Sequence, residues 1–243
     1  MYKGIYIALS GATLKQAQMD IISQNLANVN TIGYKRDKIS FQEYLVSQMN
    51  GRTENPDGRT MSYFGTVTTD QAPGNVVHTG NDFDIAIEGE GFLCLENGEY
   101  TRRGDLHLDS DGYIVNQRGI RVLGTGGPIQ ITDEGKVSIN SEGEVSVKTA
   151  ETELAVVDTI KVVIFSDASK LSKSGEDAFK AGEEEGQATT AAVKQGYLEK
   201  SNVDAVKEMV QMITALREFE TYQKAIHSFD ESIARVLDEM AKI

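Results

Sequence analysis

The residues that could carry chemistry in this chain are few and widely spaced. The single cysteine, Cys94, lies in the apolar run Phe92–Leu95 with no histidine close to it in sequence, so the pattern favours a small buried hydrophobe over a catalytic thiol. His78, His107 and His227 are separated by 29 and 120 residues, which is not a paired metal-ligand spacing. We therefore predict no catalytic residue, no metal site and no cofactor.

Two loops have partial ligand-binding motifs. The stretch Asp109–Gly112 has the acid spacing of half a calcium loop, but His107 and Arg118 stand where carboxylates are required. The glycine-rich stretch Gly124–Pro128 lacks the third glycine of a dinucleotide fingerprint and the Lys-Ser/Thr of a phosphate loop. We interpret both as tight turns between strands. An enzyme built on a β core stays as an alternative, and it would require a pocket of convergent polar groups.

The charge distribution separates the middle of the chain from its ends. The 243 residues carry a net charge of −13, which argues against a nucleic-acid partner. Residues 46–195 account for −12 of this, whereas residues 1–45 carry +2 and residues 196–243 carry −3. No stretch approaches the roughly 20 apolar residues of a membrane span, and the N-terminus lacks the pattern of a cleavable secretory signal. We expect nearly neutral ends that become buried and an acidic, solvated body.

The body has the pattern of β structure. From Val67 to about Phe165, short alternating apolar runs are separated by turn pairs, a spacing that predicts a central all-β domain. The turn pairs are Asn97-Gly98, Asp111-Gly112, Glu134-Gly135 and Glu142-Gly143. Residues 167–200 are rich in Ser, Gly and Glu and predict a connector pinned by Leu171 and Phe179, while polar residues 49–62 predict a mobile loop.

The N-terminal stripe predicts a helix over about residues 3–28. Its apolar residues recur in steps of three and four, and a cluster of Asn, Thr and Gly ending at Gly33 predicts its end. Gly4 and Gly11 each cost the helix about 1 kcal/mol relative to Ala, so we expect packing to order it. The stripe comprises Ile5, Ala8, Ala12, Met19, Ile22, Leu26 and Val29.

The C-terminal stripe predicts a second, longer helix. Ser201 and Asp204 have the spacing of a capping box, and Asn202 is an alternative cap. Three successive steps of three, from Ile213 to Tyr222, depart from a heptad and predict a skewed seam. The stripe comprises Val206, Met209, Ile213, Leu216, Phe219, Tyr222, Ile226, Phe229, Ile233, Val236 and Met240.

The predicted fold class is α+β, with terminal helices forming a coiled-coil-like pair that flanks the central all-β domain. The predicted segments are an assembly helix, a linker or extension, the β domain, the connector, and a second assembly helix. Their bounds are 1–33, 34–66, 67–166, 167–200 and 201–243.

Three stretches of the chain resemble the signatures of bacterial flagellar rod and hook proteins. They are residues 19–36, residues 80–92 followed by 100–104, and residues 195–204 with Glu208-Met209-Val210 after them. The stretches occur in the family's order along the chain. The length and the residues Gly126–Ile129 are most similar to the proximal-rod members, with the distal-rod or hook-type paralogues as alternatives.

The resemblance implies a non-catalytic structural subunit of the basal-body rod, the drive shaft that crosses the periplasm. Such subunits polymerise through their terminal helices and leave the cell by the flagellar type III export apparatus. The implied partners are other copies and other rod subunits, with no nucleic acid and no small molecule. A secreted binding module with a β domain on a coiled stalk is a further alternative.

The residues predicted to make assembly contacts come from both terminal stripes and from the Asn-rich helix end. Asn25, Asn28 and Asn30 match the family's helix-end motif, and we expect them to satisfy backbone groups at a crowded contact. We also expect residues 1–30 and 205–243 to be poorly ordered, or packed differently from the rod, in the free monomer. The assembly residues are Ile5, Met19, Ile22, Asn25, Leu26, Asn28, Val29, Asn30, Val206, Met209, Ile213, Leu216, Phe219, Tyr222, Ile226, Phe229, Ile233 and Val236.

Overall fold

The chain forms two compact units, a helical unit and a β unit. The computed structural model describes residues 2–45, 60–132, 135–148, 155–175, 177–182, 186–189 and 192–240. The helical unit contains Met1–Ala27, Asp37–Thr69 and Asp204–Ile243, and the β unit contains Asn28–Arg36 and Asp70–Val203. Most of the predicted loop over 49–62 therefore lies outside the described residues, and its last three residues belong to a strand.

Both predicted terminal helices are present. Helix α1 spans Tyr2–Ala27 and helix α2 spans Ala205–Met240. The N-cap of α2 is Asp204, whose carboxylate oxygen accepts from the N–H groups of Val206 (3.1 Å) and Lys207 (3.2 Å). The predicted Ser201 or Asn202 cap is wrong, because the Ser201 hydroxyl accepts from the N–H of Val203, before the helix begins.

Two glycines of α1 lie against two aromatic rings of α2. A Cβ atom at Gly4 would lie 3.0 Å from the Phe229 ring, and one at Gly11 would lie 2.6 Å from the Tyr222 ring. Lys15 forms a 2.6 Å ion pair with Glu218. The residue numbers of these contacts increase along α1 while those of their partners decrease along α2, so the two helices are antiparallel. The glycines that weaken an isolated α1 thus make room for the rings, which explains how packing can order this helix.

A β-hairpin completes the helical unit. Strand β1 (Asp37–Leu45) pairs antiparallel with β2 (Thr60–Thr69), and the register shifts at a bulge between Ile39 and Phe41. The hydroxyl of Thr69 donates to the Asp37 carboxylate at 2.8 Å. The segment predicted as a linker over 34–66 therefore contains two paired strands.

The β unit is built from antiparallel ladders, with strands numbered along the chain. The six-stranded sheet contains, in spatial order, β13 (Ser172–Lys173), β14 (Ala178–Lys180), β6 (Tyr100–Thr101), β5 (Phe92–Cys94), β12 (Val162–Ile164) and β15 (Gln187–Thr189). A three-stranded sheet contains β11 (Ala155–Thr159), β10 (Glu144–Lys148) and β9 (Lys136–Ile139). Three two-stranded ribbons pair β16 (Ala192–Gln195) with β4 (Ile85–Glu88), β17 (Tyr197–Glu199) with β3 (Val76–His78), and β7 (His107–Leu108) with β8 (Ile114–Val115).

The β unit has an aliphatic main core and a smaller aromatic cluster. The main core joins side chains of β4, β5, β8, β9, β10, β12 and β16, and Val122 and Val145 in it are fully buried. The smaller cluster contains Phe92, Cys94 and Phe179. Cys94 is the buried hydrophobe that the sequence predicts, and burial raises the pKa of its thiol to about 11.

The segment 167–200, predicted as a connector, belongs to the β unit and supplies strands β13 to β17. Leu171 and Phe179 are buried, as predicted, and so is Val193. These strands have two to four residues each, too few for an alternating apolar pattern to emerge from a polar background.

Candidate assembly site

The three stretches that carry the family resemblance converge on one buried carboxylate in the β unit. Glu199, from the third stretch, lies 2.6 Å from Lys35 Nζ of the first and 3.2 Å from an Arg102 guanidinium nitrogen of the second. The backbone N–H of Gly74 also donates to the Glu199 carboxylate at 2.7 Å. The Lys35 and Glu199 side chains are each 1% exposed. Residues far apart in sequence therefore form one ion-pair cluster, here called the Glu199 cluster.

In the Glu199 cluster, the pKa of each basic group depends on its burial and on the charge of Glu199. Burial lowers the pKa of Lys35 and of Arg102, and the charge of Glu199 opposes that shift at both groups. Lys35 Nζ also donates to the carbonyl of Ala72 at 2.9 Å. Desolvated charges are tolerated only when they are paired and hydrogen-bonded in this way. The cluster therefore fixes the segment after α1 within the β unit and has a structural role.

Two more residues of the family motifs, Gly33 and Asn202, contact the backbone next to the Glu199 cluster. Gly33 has φ +70° and packs against the Arg103 backbone, where a side chain would collide, and its N–H donates to the Glu199 carbonyl at 2.8 Å. The Asn202 side-chain oxygen accepts from the Arg36 N–H, and its amide nitrogen donates to the Asp70 carbonyl, both at 2.8 Å. Asn202 thus joins two chain segments of the β unit.

The three predicted asparagines have different environments. Asn25 is buried, and its amide both donates to the Asp37 carbonyl and accepts from the Asp37 N–H, at 2.9 Å each. Asn28 is buried and accepts from the Thr31 hydroxyl at 3.0 Å. Asn30 is exposed. Asn25 therefore forms hydrogen bonds with both backbone polar groups of Asp37, the first residue of β1.

The predicted N-terminal contacts are buried or half-buried. Ile22 is 3% exposed. The half-buried residues are Ile5, Met19, Leu26 and Val29.

The predicted C-terminal contacts lie on two faces of α2. Phe219, Tyr222, Ile226, Phe229 and Ile233 are half-buried, and the Val236 side chain lies outside the described residues. The exposed residues are Val206 (71%), Met209 (50%), Ile213 (52%) and Leu216 (46%).

The three successive steps of three residues, from Ile213 to Tyr222, mark where the apolar stripe passes from one face of α2 to another. A step of three residues falls about 60° short of a full helical turn, so the run from Ile213 to Tyr222 moves around α2 from its exposed face to its half-buried face. The buried face continues toward the N-terminus of α2 through Ala215 (1% exposed) and Glu208 (3%). These two positions were not among the predicted contacts, although Ala215 lies four residues before Phe219 and Glu208 lies seven residues before Ala215.

One cavity of the β unit is lined in part by charged and polar side chains. It has a volume of about 520 Å³, and its lining includes Gln71, Glu90, Phe92, Arg102 and Asp167. Asp167 accepts from the N–H of Ser169 at the start of a short 3-10 helix over Ala168–Lys170, and Arg102 belongs to the Glu199 cluster. Arg102 and Asp167 thus already hold structural contacts, and no histidine or cysteine is among the described residues that line the cavity.

The two loops with partial ligand motifs are turns, as predicted. The N–H of Gly112 donates to the Asp109 carbonyl at 3.1 Å. In the glycine-rich loop, the N–H of Gly126 and the hydroxyl of Thr125 donate to the Asp158 carboxylate. These donors are therefore already engaged within the β unit. In the part of the chain that the structure describes, no group of His, Cys, Asp and Glu could hold a metal ion.

A unit with two paired terminal helices and a β unit that contains the Glu199 cluster are the features to compare with known proteins, and three family models match the chain. Residues 5–35 match the flagella basal body rod protein model, residues 86–147 the flagellar hook protein FlgE/F/G D1 domain, and residues 194–239 the flagellar basal body rod FlgEFG protein C-terminal model.

Curated relatives extend the match over almost the whole chain. The flagellar basal-body rod protein FlgG of Bacillus subtilis is 33% identical, covering 98% of this chain and 99% of that protein. FlgG of Borreliella burgdorferi is 33% identical over 96% and 97%, and FlgF of Escherichia coli is 29% identical over 97% of each. The chain belongs to the flagellar basal-body rod protein family, and this family membership places it in the basal body. Among the described residues, no helix has the length and apolar character needed to cross a membrane.

Proposed function

We propose that this chain is a structural, non-catalytic subunit of the flagellar rod that polymerises through its terminal helices. The observation that carries the proposal is an apolar face of α2 that stays exposed while the helix pairs with α1. The helix pairs with α1 through Tyr222 and Phe229, yet five further large apolar residues from Val206 to Leu216 are 46–71% exposed. Exposed apolar surface of this kind is typical of a protein–protein interface.

The proposed position is the proximal segment of the rod, with the distal segment or a hook-type role as the alternative. The length of the chain and the Gly126–Ile129 stretch support the proximal position. The curated relatives named above carry the names FlgG and FlgF, and neither name states a position. Crosslinking in isolated basal bodies tests the position, because a proximal subunit yields adducts near the base of the rod and a distal subunit yields adducts near the hook.

The proposed route is export through the flagellar type III apparatus, with the terminal segments 1–30 and 205–243 held back from rod packing until assembly. Amide hydrogen exchange on the purified monomer tests this proposal. Weak protection in both helices supports it, and strong protection across both ends contradicts it.

Substitution of one buried and one half-buried apolar residue of the terminal helices tests the assembly role directly. We expect Ile22→Asp and Ile226→Asp to abolish rods and motility while the β unit stays folded, because each places a charge at an apolar helix contact. Thr13→Asp is the matched control, since Thr13 is exposed on the same helix as Ile22. Motile cells carrying either seam variant would contradict the proposal.

A further inference from the structure

The cavity of about 520 Å³ in the β unit, here called the loop cavity, is formed mainly by three loops. They are the segment Gln71–Pro73 before β3, the turn Gly89–Gly91 between β4 and β5, and the segment Ser166–Ala168 after β12. Arg102, directly after β6, also lines the cavity. A volume of roughly 300–1,000 Å³ is typical of sites that bind small molecules or single side chains. The loop cavity is therefore large enough to hold a ligand.

Two polar side chains of the loop cavity have buried hydrogen-bonding atoms that are unmatched. Among the residues that the structure describes, both polar atoms of the Gln71 carboxamide and Nε of Arg102 have no hydrogen-bond partner. Arg102 is 5% exposed. Native structures contain few such atoms, because leaving them unmatched destabilises the fold. The terminal torsion of a glutamine has a broad energy minimum, so the Gln71 carboxamide can turn toward a group in the cavity.

Apolar side chains form another wall of the loop cavity. Phe92, Ile164 and Phe165 line it, and the Phe92 and Phe165 rings pack edge to face with their centroids 5.9 Å apart. Ligand sites commonly combine an apolar wall of this kind with a few polar groups that fix the orientation of the ligand. The wall therefore favours a ligand with an apolar or aromatic part.

The charges at the loop cavity balance. Glu90 and Asp167 line it together with Arg102. Arg102 belongs to the Glu199 cluster, which contains two cations and one carboxylate, and Lys170 Nζ lies 3.8 Å from the Asp167 carboxylate. Three cations therefore accompany three carboxylates. A charged ligand would bring an uncompensated charge into the cavity, so the balance favours a neutral ligand.

We propose that the loop cavity binds a neutral primary carboxamide attached to an apolar or aromatic group. The NH₂ of the ligand donates to Gln71 Oε1, and its carbonyl accepts from Gln71 Nε2 and from Arg102 Nε. One ligand group thus satisfies all three unmatched atoms, whereas a carboxylate or a ketone has no N–H to donate. The inference goes beyond the proposed function and does not depend on it.

NMR titration of the ¹⁵N-labelled full chain with benzamide tests the site. The amide signals of Gly89, Gly91 and Ser166 are expected to shift and to saturate with a Kd on the order of 1 mM, as for a ligand of this size. Benzoate is charged and acetophenone lacks the N–H, so both are expected to bind at least about tenfold more weakly. No saturable shift, or equal binding of the three probes, overturns the inference.

Gln71→Leu separates a binding role from a structural role. Because the Gln71 carboxamide makes no hydrogen bond among the described residues, the free energy of unfolding should stay unchanged or increase. The affinity for benzamide should fall at least about tenfold. Gln130→Leu is the matched control, since Gln130 lies outside the cavity and donates to the Asp111 carbonyl. It should leave benzamide binding unchanged.

Equal affinity of Gln71→Leu and the wild-type chain for benzamide overturns the inference. If Gln71→Leu does not fold, Gln71→Glu takes its place, because its carboxylate can pair with Arg102 while lacking the N–H donors. The same loss of benzamide affinity is expected for Gln71→Glu, and unchanged affinity again overturns the inference.

A peptide probe distinguishes the two sources of the carboxamide. N-acetylglutamine methylamide carries it on a side chain, and N-acetylalanine methylamide is the control without it. Selective binding of the glutamine probe indicates a Gln or Asn side chain of a partner protein, and binding of benzamide alone indicates a free small molecule. Both outcomes support the carboxamide site. Neither affects the proposed rod function, whose tests use the terminal helices.

Discussion

The β unit and the helical unit differ in how far their apolar side chains are buried. In the β unit, aliphatic side chains such as Val122 and Val145 are fully buried, and the charged Glu199 cluster is paired internally. In the helical unit, Val206 is 71% exposed and Val210 is 59% exposed on a well-formed helix. The β unit therefore has the features of a self-sufficient fold, whereas the helical unit has apolar surface to bury against a partner. The difference predicts where substitutions affect folding and where they affect assembly.

The largest effect on folding is expected from Glu199→Gln. The substitution leaves Lys35 and Arg102 buried without their counter-charge, and removing one partner of a buried pair costs about 3–5 kcal/mol. Urea unfolding of the full chain measures the loss. Glu88→Gln is the matched control, because the Glu88–Lys194 pair is exposed at the surface and should contribute less than about 1 kcal/mol. Equal losses for the two variants would remove the distinction between buried and exposed pairs.

An acid-dependent loss of stability is expected from Glu99. Burial alone would raise the pKa of this carboxyl, but hydrogen bonds with Ser174, Asn97 and Arg118 lower it from 4.5 to about 2. The folded state therefore binds its proton less readily than the unfolded state. The stabilisation, on the order of 3 kcal/mol, is present above pH 4.5 and is lost as pH falls toward 2. Urea unfolding at several pH values should show this slope in the wild-type chain and a shallower one in Glu99→Gln; parallel profiles would contradict it.

A smaller loss, confined to the helical unit, is expected from Gly11→Val. Its Cβ would lie 2.6 Å from the Tyr222 ring, and overpacking of this kind costs about 1–3 kcal/mol. Thermal unfolding followed by helical circular dichroism measures the effect. Tyr222→Leu in the same chain should recover part of the loss, since the two positions are in contact and their effects are not additive. Additive losses would argue against the glycine–ring contact.

The smallest effect on folding is expected at the exposed apolar residues of α2, here called the α2 stripe: Val206, Met209, Val210, Ile213 and Leu216. Val210→Gln should change the free energy of unfolding of the isolated chain by no more than about 0.5 kcal/mol, because the side chain is already in water. Ala215→Gln, on the opposite face of the same helix and only 1% exposed, should cost distinctly more. The same urea titration compares the two variants. A large loss for Val210→Gln would mean that the stripe is covered within the chain.

Several elements were predictable from the sequence because their signals are local. The apolar steps and the Asn-rich stop predicted α1 to within a residue or two, and the Gly98, Gly112 and Gly143 turns have the expected positive φ of 78°, 80° and 81°. Strands β13 to β17 escaped prediction because strands of two to four residues show no periodicity, and four of them, β14 to β17, pair with strands distant in sequence. The placement of the predicted assembly residues in a rod contact stays a prediction.

The sequence by itself determined that the chain has apolar helices at both ends, a turn-rich β body between them, and three family motifs. Only the tertiary structure decided what those features do together. It joined Lys35, Arg102 and Glu199, which lie in three separate motifs, into one buried cluster. It also divided the C-terminal stripe into a paired face and an exposed face. Both results depend on which surfaces meet in space, and periodicity along a chain specifies a helix face without specifying what packs against it.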